Sequence, residues 1–351
     1  MTELPQIFSR EAELRERFVQ GLEAMLAAHE GLGVFILVLA NATYEEAIFR
    51  RLEPALRERF ARAAAGVRAT LRAGRQPEDP ADDVAVFLRL MALGLDDLPL
   101  TRFRSSGAFE LQFNLLRALR PPRMADVRVA RVFEPFTLEG FHFNKPFLRK
   151  EVLWEGELLG RDSRLLYNKF PFAHLHGLLV IEPEANKPQY LAQDDHQLVW
   201  ELCGRAAPAL PGIGFGYNSY GAFASVNHQH FQMFYQADGA YPVEAGHWRH
   251  NGGGEAYPVA CRRYDDIAAA WREIARLHEL NHAYNLLYRP GCVYLLPRRF
   301  QGDYVHSAWT SGFAWSELAG SVTTFNREDF EGLDERAIHA EMARLNSTQL
   351  L

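Results

Sequence analysis

Within the stretch Gly212–Gln236, GIGFGYNSYGAFASVNHQHFQMFYQ, His228, His230 and Gln232 recur at every second position. From Ala224 onward the stretch reads as a strand, so Val226, His228, His230, Gln232 and Phe234 share one face, spaced ~6.6 Å apart. Such a row admits three chemistries. It can be a set of satisfied core residues, although two imidazoles and an amide on an otherwise apolar face are costly to bury. It can chelate zinc or iron, with a carboxylate from elsewhere. Or one imidazole can attack phosphorus while a hydrogen bond at its other nitrogen fixes the tautomer. The approach to the row separates these. Asn218 to Ser225 (NSYGAFAS) is turn-rich, with a glycine that permits close backbone contact and Asn and Ser donors. A phosphate oxygen requires such a lead-in and a metal does not, so the pattern favours covalent catalysis at a phosphate and no metal site.

The rest of the chain must position that row. Its 351 residues suffice for two domains, or one large domain with an extension. Hydrophobic residues make up 48% and charged residues 23%, with 26 Gly and 18 Pro, which excludes a disordered or collagen-like chain. A net charge of −6 argues against coating nucleic acid or an anionic membrane. Three scattered cysteines, Cys203, Cys261 and Cys292, make neither a disulfide framework nor a cysteine-built zinc site, as in a reducing compartment. The first residues lack a signal-peptide pattern, and the longest apolar run, Val34 to Ala40, is far short of the ~18–20 residues of a membrane helix. A cytoplasmic protein is expected.

Gly74–Asp83 (GRQPEDPADD) reads as a solvated linker. Before it the texture is helical: Thr43 and Glu46 fit a capping box, Pro54 suits a helix's first turn, and Ala55–Ala73 favours helix by propensity. After it come short strand-like runs at Arg164–Tyr167, Gly177–Glu182, Gly214–Tyr217, Ala224–Gln236, Asn285–Tyr288 and Cys292–Leu296. Helical stretches at Asp194–Ala207 and Tyr264–His282 intervene, and the irregular order indicates an α+β fold. Ser163–Pro183 and Ala283–Arg299 echo each other as strand, polar turn, strand and proline. GIGFG lacks the context of a dinucleotide fingerprint, and no Gly-Lys-Ser/Thr follows Asn251–Gly254 to make a P-loop. His174 and His176 flank a strand start and could join a site, although such histidines more often cap a turn.

YNSYGAFASVNHQHFQ, together with Phe109–Met124, Val129–Lys145 (VARVFEPFTLEGFHFNK), Val293–Arg299, Ser316–Gly320 (SELAG) and Arg327–Glu335, resembles the histidine-triad superfamily. The likeness is to its transferase and phosphorylase branch, where the motif is His-x-His-x-Gln, and most of all to the GDP-hexose phosphorylases. It covers roughly residues 105–345. Diadenosine polyphosphate phosphorylases share the row, and Asn168–Val180 is similar to their first strand pair; galactose-1-phosphate uridylyltransferases share it with a proline where this chain has Gln229. The resemblance implies two histidine-triad-like halves with antiparallel sheets, a catalytic one at 105–250 and a degenerate one at 255–345, after a helical segment at 1–80 of unknown role. By the same resemblance His230 is the nucleophile that forms a nucleotidyl-histidine, His228 supports it, Gln232 donates to the phosphoryl oxygens, and Ser225 donates to the phosphate or leaving group. Asn218, Ser219, Gly221, Asn168, Lys169, Asn144, Lys145 and Glu317 are its implied substrate-binding positions. The implied reaction is phosphorolysis of a nucleoside diphosphate hexose, with a nucleotide sugar and inorganic phosphate as partners and no cofactor, nucleic acid or membrane. A diadenosine tetraphosphate phosphorylase and a catalytically silent nucleotide sensor are the alternatives, and the resemblance admits a homodimer.

Overall fold

The computed structural model describes residues 3–120, 128–236 and 239–347. The last four residues of the Phe109–Met124 segment lie outside them. The chain opens with four helices, α1 (Glu11–Ala28), α2 (Leu32–Tyr44), α3 (Glu46–Arg72) and α4 (Ala81–Leu93). α2 is apolar on every side, and Leu32 and Val34 to Tyr44 are all buried. α3 is amphipathic and carries the i,i+4 pairs Arg50–Glu46, Arg57–Glu53 and Arg62–Glu58 on its wet face.

Local signals were overridden here in two places. Thr43 caps nothing: burial carries α2 through it, and its hydroxyl donates to Leu39 O (2.9 Å) inside the same helix. Pro54 lies well inside α3 rather than in a first turn. The expected solvated linker is also tighter than its composition implies. Asp79 accepts from Leu32 N (2.8 Å), and Asp83, within α4, takes the ammonium of Lys169 at 2.6 Å.

Next come β1 (Arg102–Ser106), β2 (Phe109–Phe113), the short α5 (Leu115–Ala118), β3 (Val152–Leu158), β4 (Arg161–Tyr167), β5 (Gly177–Ile181), α6 (Gln193–Ala206), β6 (Ile213–Asn218) and β7 (Phe231–Tyr235). The remainder is β8 (Arg262–Tyr264), α7 (Ile267–Glu279), β9 (Tyr284–Arg289), β10 (Cys292–Pro297), α8 (Trp315–Leu318), β11 (Ser321–Thr324), α9 (Arg327–Gly332) and α10 (Glu335–Ala343).

Eight strands form one antiparallel sheet in the order β3-β4-β5-β7-β6-β9-β10-β8, and β1-β2-β11 form a smaller one. The two echoing segments are the hairpins β4–β5 and β9–β10. β6 pairs with β9, Phe215 opposite Tyr288 and Asn218 opposite Asn285, so a single sheet crosses both halves of the strand region.

Each face of the large sheet has its own apolar core. One joins it to the N-terminal helices, α6 and α7, with Phe18 against Tyr167 (4.9 Å between rings) and the Tyr167 hydroxyl donating to Phe18 O at 2.7 Å. The other joins it to the small sheet and the C-terminal helices around Trp315, Phe234 and Phe313. The helical segment is therefore built into the main core. No helix among the described residues is long and apolar enough to cross a membrane.

Candidate active site

The strand that carries the row begins later than its alternation suggests. β7 starts at Phe231, and residues 224–230 approach it as irregular chain. The reason lies in where the backbone groups go. Gln229 N donates to Lys187 O (2.9 Å), His230 N donates to Gln189 Oε1 (2.9 Å), and the His228 carbonyl accepts from the His230 ring. None of these is left for a ladder, so no strand forms.

The two histidines consequently sit on a platform made by residues 183–189. Gln189 N donates to Asn227 Oδ1 (2.9 Å), the His228 ring bonds the Pro183 carbonyl, and Gln189 Nε2 reaches Asn218 O (2.8 Å) and His230 O (3.3 Å). Buried Asp195 ties the platform down by pairing with Lys187 (3.0 Å) and Arg161 (2.7 Å), and Glu182 pairs with the same two cations.

His230 is buried, and its Nδ1 lies 2.8 Å from the His228 carbonyl. A carbonyl only accepts, so the ring proton sits on Nδ1 and the lone pair is on Nε2. Burial lowers the pKa of this ring to about 4, which keeps it neutral. The His228 ring is fixed in the opposite tautomer: its Nδ1 accepts from Phe143 N (3.1 Å), which leaves Nε2–H for Pro183 O. Phe143 also sets its ring edge-on to His230, with centroids 5.0 Å apart. This segment is strapped over the site by Asn227 Nδ2, which donates to the carbonyls of Glu134 (3.0 Å) and Pro135 (2.9 Å). Gln232, inside β7, accepts at Oε1 from the indole Nε1 of Trp315 (2.9 Å).

The structure therefore brings His228, His230 and Gln232 together. Of the implied substrate-binding positions, several are spoken for by the protein itself. Asn218 Oδ1 accepts from Asn285 Nδ2 (2.6 Å) and Trp315 N (2.9 Å), and Ser219 Oγ accepts from Tyr284 N (3.0 Å). Gly221 takes φ +84°, and a Cβ there would overlap the Phe300 ring, so its freedom shapes the turn. Asn144 bridges Pro183 O (2.7 Å), Asn186 Oδ1 (2.9 Å) and Arg164 (2.9 Å). Asn168 Nδ2 lies 3.3 Å from His176 Nε2.

Others point away. Lys169 reaches back to Asp83 on α4, Lys145 donates to Leu138 O (2.8 Å) at the surface, and Glu317 accepts from Ala314 N (3.0 Å) at the start of its own helix. Ser225 is exposed on the approach to the histidines. His174 faces Glu45 (3.2 Å), and His176 is fully buried beside Gln232, with its Nδ1 accepting from Phe172 N (3.2 Å). Gln189, His176 and Trp315 are the site residues that sequence reasoning passed over. Trp315, immediately before SELAG, and His176, within Asn168–Val180, adjoin segments that carried a signal, and Gln189 does not.

Burial acts on several imidazoles at once. His176 is lowered to about 3, and His196, His228, His230 and His278 to about 4, in each case with desolvation as the largest cause. Unfolded imidazoles titrate near 6.5, so between pH 6.5 and 4 the unfolded chain binds more protons than the folded one. Their contribution to stability is complete above pH 6.5 and is lost as pH falls toward 4. The midpoint of urea unfolding is expected to drop steadily across that window, while any turnover by the folded protein shows no inflection near 6.5. A flat unfolding midpoint, or an activity limb at 6.5, would contradict the neutral buried rings.

Comparison with known proteins follows the same lines. Residues 94–234 match the family described as GDPGP1-like, N-terminal domain. GDP-D-glucose phosphorylase 1 of Danio rerio is 34% identical over 145 residues, covering 40% of each chain. The Homo sapiens protein of that name is 33% identical over 171 residues, 45% of this chain and 42% of that one. GDP-L-galactose phosphorylase 1 of Arabidopsis thaliana is 31% identical over 153 residues, 39% of this chain and 33% of its own. The matches thus span less than half the length of each relative. The crystal structure of yeast Ap4A phosphorylase Apa2 aligns with a TM-score of 0.50 at 15% identity, covering 76% of this chain and 95% of that one, a likeness of fold. The chain is therefore similar to the GDPGP1-like N-terminal domain over residues 94–234 and, over part of its length, to GDP-hexose phosphorylases, and it shares its fold with yeast Ap4A phosphorylase Apa2.

Proposed function

We propose that the protein is a nucleotidyltransferase that phosphorolyses a nucleoside diphosphate hexose, GDP-hexose before others. The observation that carries this reading is the tautomer of His230: Nδ1–H is held by the His228 carbonyl at 2.8 Å, so a neutral ring keeps its lone pair at Nε2. In the first step Nε2 attacks the α-phosphorus, the N–P bond forms, and the bond from the α-phosphorus to the bridging oxygen breaks. Hexose 1-phosphate leaves as an anion and needs no general acid. In the second step a phosphate oxygen attacks the same phosphorus, the N–P bond breaks, and the nucleoside diphosphate departs. Gln232 supplies a neutral donor to the phosphoryl oxygens as charge builds there. The similarity of residues 94–234 to GDP-hexose phosphorylases supports the choice of substrate.

The same reading assigns catalysis to residues 105–250 and a degenerate companion role to 255–345, admits a homodimer, and places the protein in the cytoplasm with no cofactor. Asn168, Lys169, Asn144, Lys145, Ser225 and Glu317 remain its proposed contributors around the nucleotide. Purified protein incubated with GDP-glucose, GDP-mannose, GDP-L-galactose and diadenosine tetraphosphate, with and without phosphate, tests it. Phosphate-dependent release of GDP from at least one GDP-hexose is expected. Turnover of diadenosine tetraphosphate alone would move the protein to the dinucleotide phosphorylases, and no turnover of any of the four would leave a nucleotide sensor.

A further inference from the structure

We propose that Trp315 is a positioning residue that decides which end of the Gln232 amide faces the reacting phosphate. The two ends of a glutamine amide have nearly the same shape and opposite chemistry, so something other than packing must select between them. An indole N–H can only donate. Trp315 Nε1 stands 2.9 Å from Gln232 Oε1, which pins the oxygen against the indole and leaves the NH2 end free for a phosphoryl oxygen. A flipped amide would set N–H against the indole N–H and turn an oxygen lone pair toward the phosphate.

The indole is itself immobile. It is fully buried, stacks on Phe234 at 5.1 Å with planes 15° apart, and lies where a Cβ at Gly216 would overlap it. Trp315 N donates to Asn218 Oδ1 (2.9 Å), and the Asn218 carbonyl accepts from Gln189, the residue that holds His230. Nucleophile and donor therefore hang from one asparagine. Trp315 comes from α8, far along the chain, so the second half of the molecule completes the first half's chemistry.

The kinetic test rests on the phosphorolysis reading. Trp315→Phe keeps an aromatic ring and removes the N–H. A fall in kcat of about 10- to 100-fold with KM within threefold is expected, below the ~100- to 1,000-fold cost of deleting a transition-state donor outright. In a Gln232→Ala background the same change should cost nothing further, because there is no amide left to orient. Incorporating β-(3-benzothienyl)alanine at 315, an indole isostere without the N–H, gives the same reading if Phe at this position folds poorly.

Unchanged kcat in both variants overturns the proposal, as does a loss that multiplies with Gln232→Ala. A second measurement needs no turnover: in protein labelled with 15N-tryptophan, the Trp315 indole N–H should exchange slowly and shift on Gln232→Leu. If the wild type cleaves no nucleotide sugar but the indole signal responds, the functional reading fails and the orientation stands. An indole signal indifferent to Gln232→Leu sinks the orientation itself.

Discussion

His230→Ala is expected to lower phosphate-dependent turnover by about ten-thousandfold or more, because it removes the atom to which the nucleotidyl group would bond. Loss of a nucleophile differs from loss of a donor: remaining contacts can still bind substrate, so KM should move little while kcat collapses. The fold should survive, since among the described residues the ring is held by the local bond to the His228 carbonyl. A direct check is to mix enzyme with GDP-glucose labelled at the α-phosphate, without inorganic phosphate, and to isolate protein. Wild-type protein should carry acid-labile, base-stable label of a phosphoramidate, and His230→Ala none. Label retained by the variant, or activity above one-tenth of wild type, would remove His230 from its role.

Gln189→Leu should have the second largest effect, and by a different route. Gln189 touches no proposed reacting atom, yet it accepts from His230 N and donates to the carbonyls of Asn218 and His230. Leucine of similar volume would strand these buried groups at about 1–3 kcal/mol for each one left unpaired. A loss of about 3–5 kcal/mol in urea unfolding is expected. Catalysis should suffer beyond this in the protein that stays folded: in-line attack tolerates little displacement of Nε2, and about a hundredfold fall in kcat with KM nearly constant would follow. Wild-type kcat in a destabilised Gln189→Leu would show that the platform holds the fold without aiming the nucleophile.

These two residues mark the limits of what the chain discloses by inspection. His228, His230 and Gln232 were legible because residue type and spacing were both unusual, and strands such as Gly177–Ile181 because their apolar runs stop at turn residues. Gln189 sits in KPQY with no pattern around it, and its partners His230 and Asn218 lie dozens of residues away. The alternation through Val226 looked like strand because period two is silent about where backbone hydrogen bonds go, and here side chains and a neighbouring segment take them. Lys169 illustrates the same gap for charge. A lysine beside a motif suggests an anionic ligand, but nothing adjacent to it records that Asp83 will arrive first. Thr43 and Glu46 had the right spacing for a cap and lost to the burial of an entire helix.

The pairing of β6 with β9 bears on how the molecule is made. During synthesis the edge of β6 leaves the ribosome about 66 residues before its partner begins, which at ~5–20 residues per second is roughly 3–13 s with a row of backbone donors and acceptors unclaimed. Phe215 and Tyr217 on that edge are fully buried in the finished protein and have nowhere to go in the meantime. Slow translation through residues 219–284 would prolong the interval in which two nascent chains can pair with each other, and rapid translation there would shorten it.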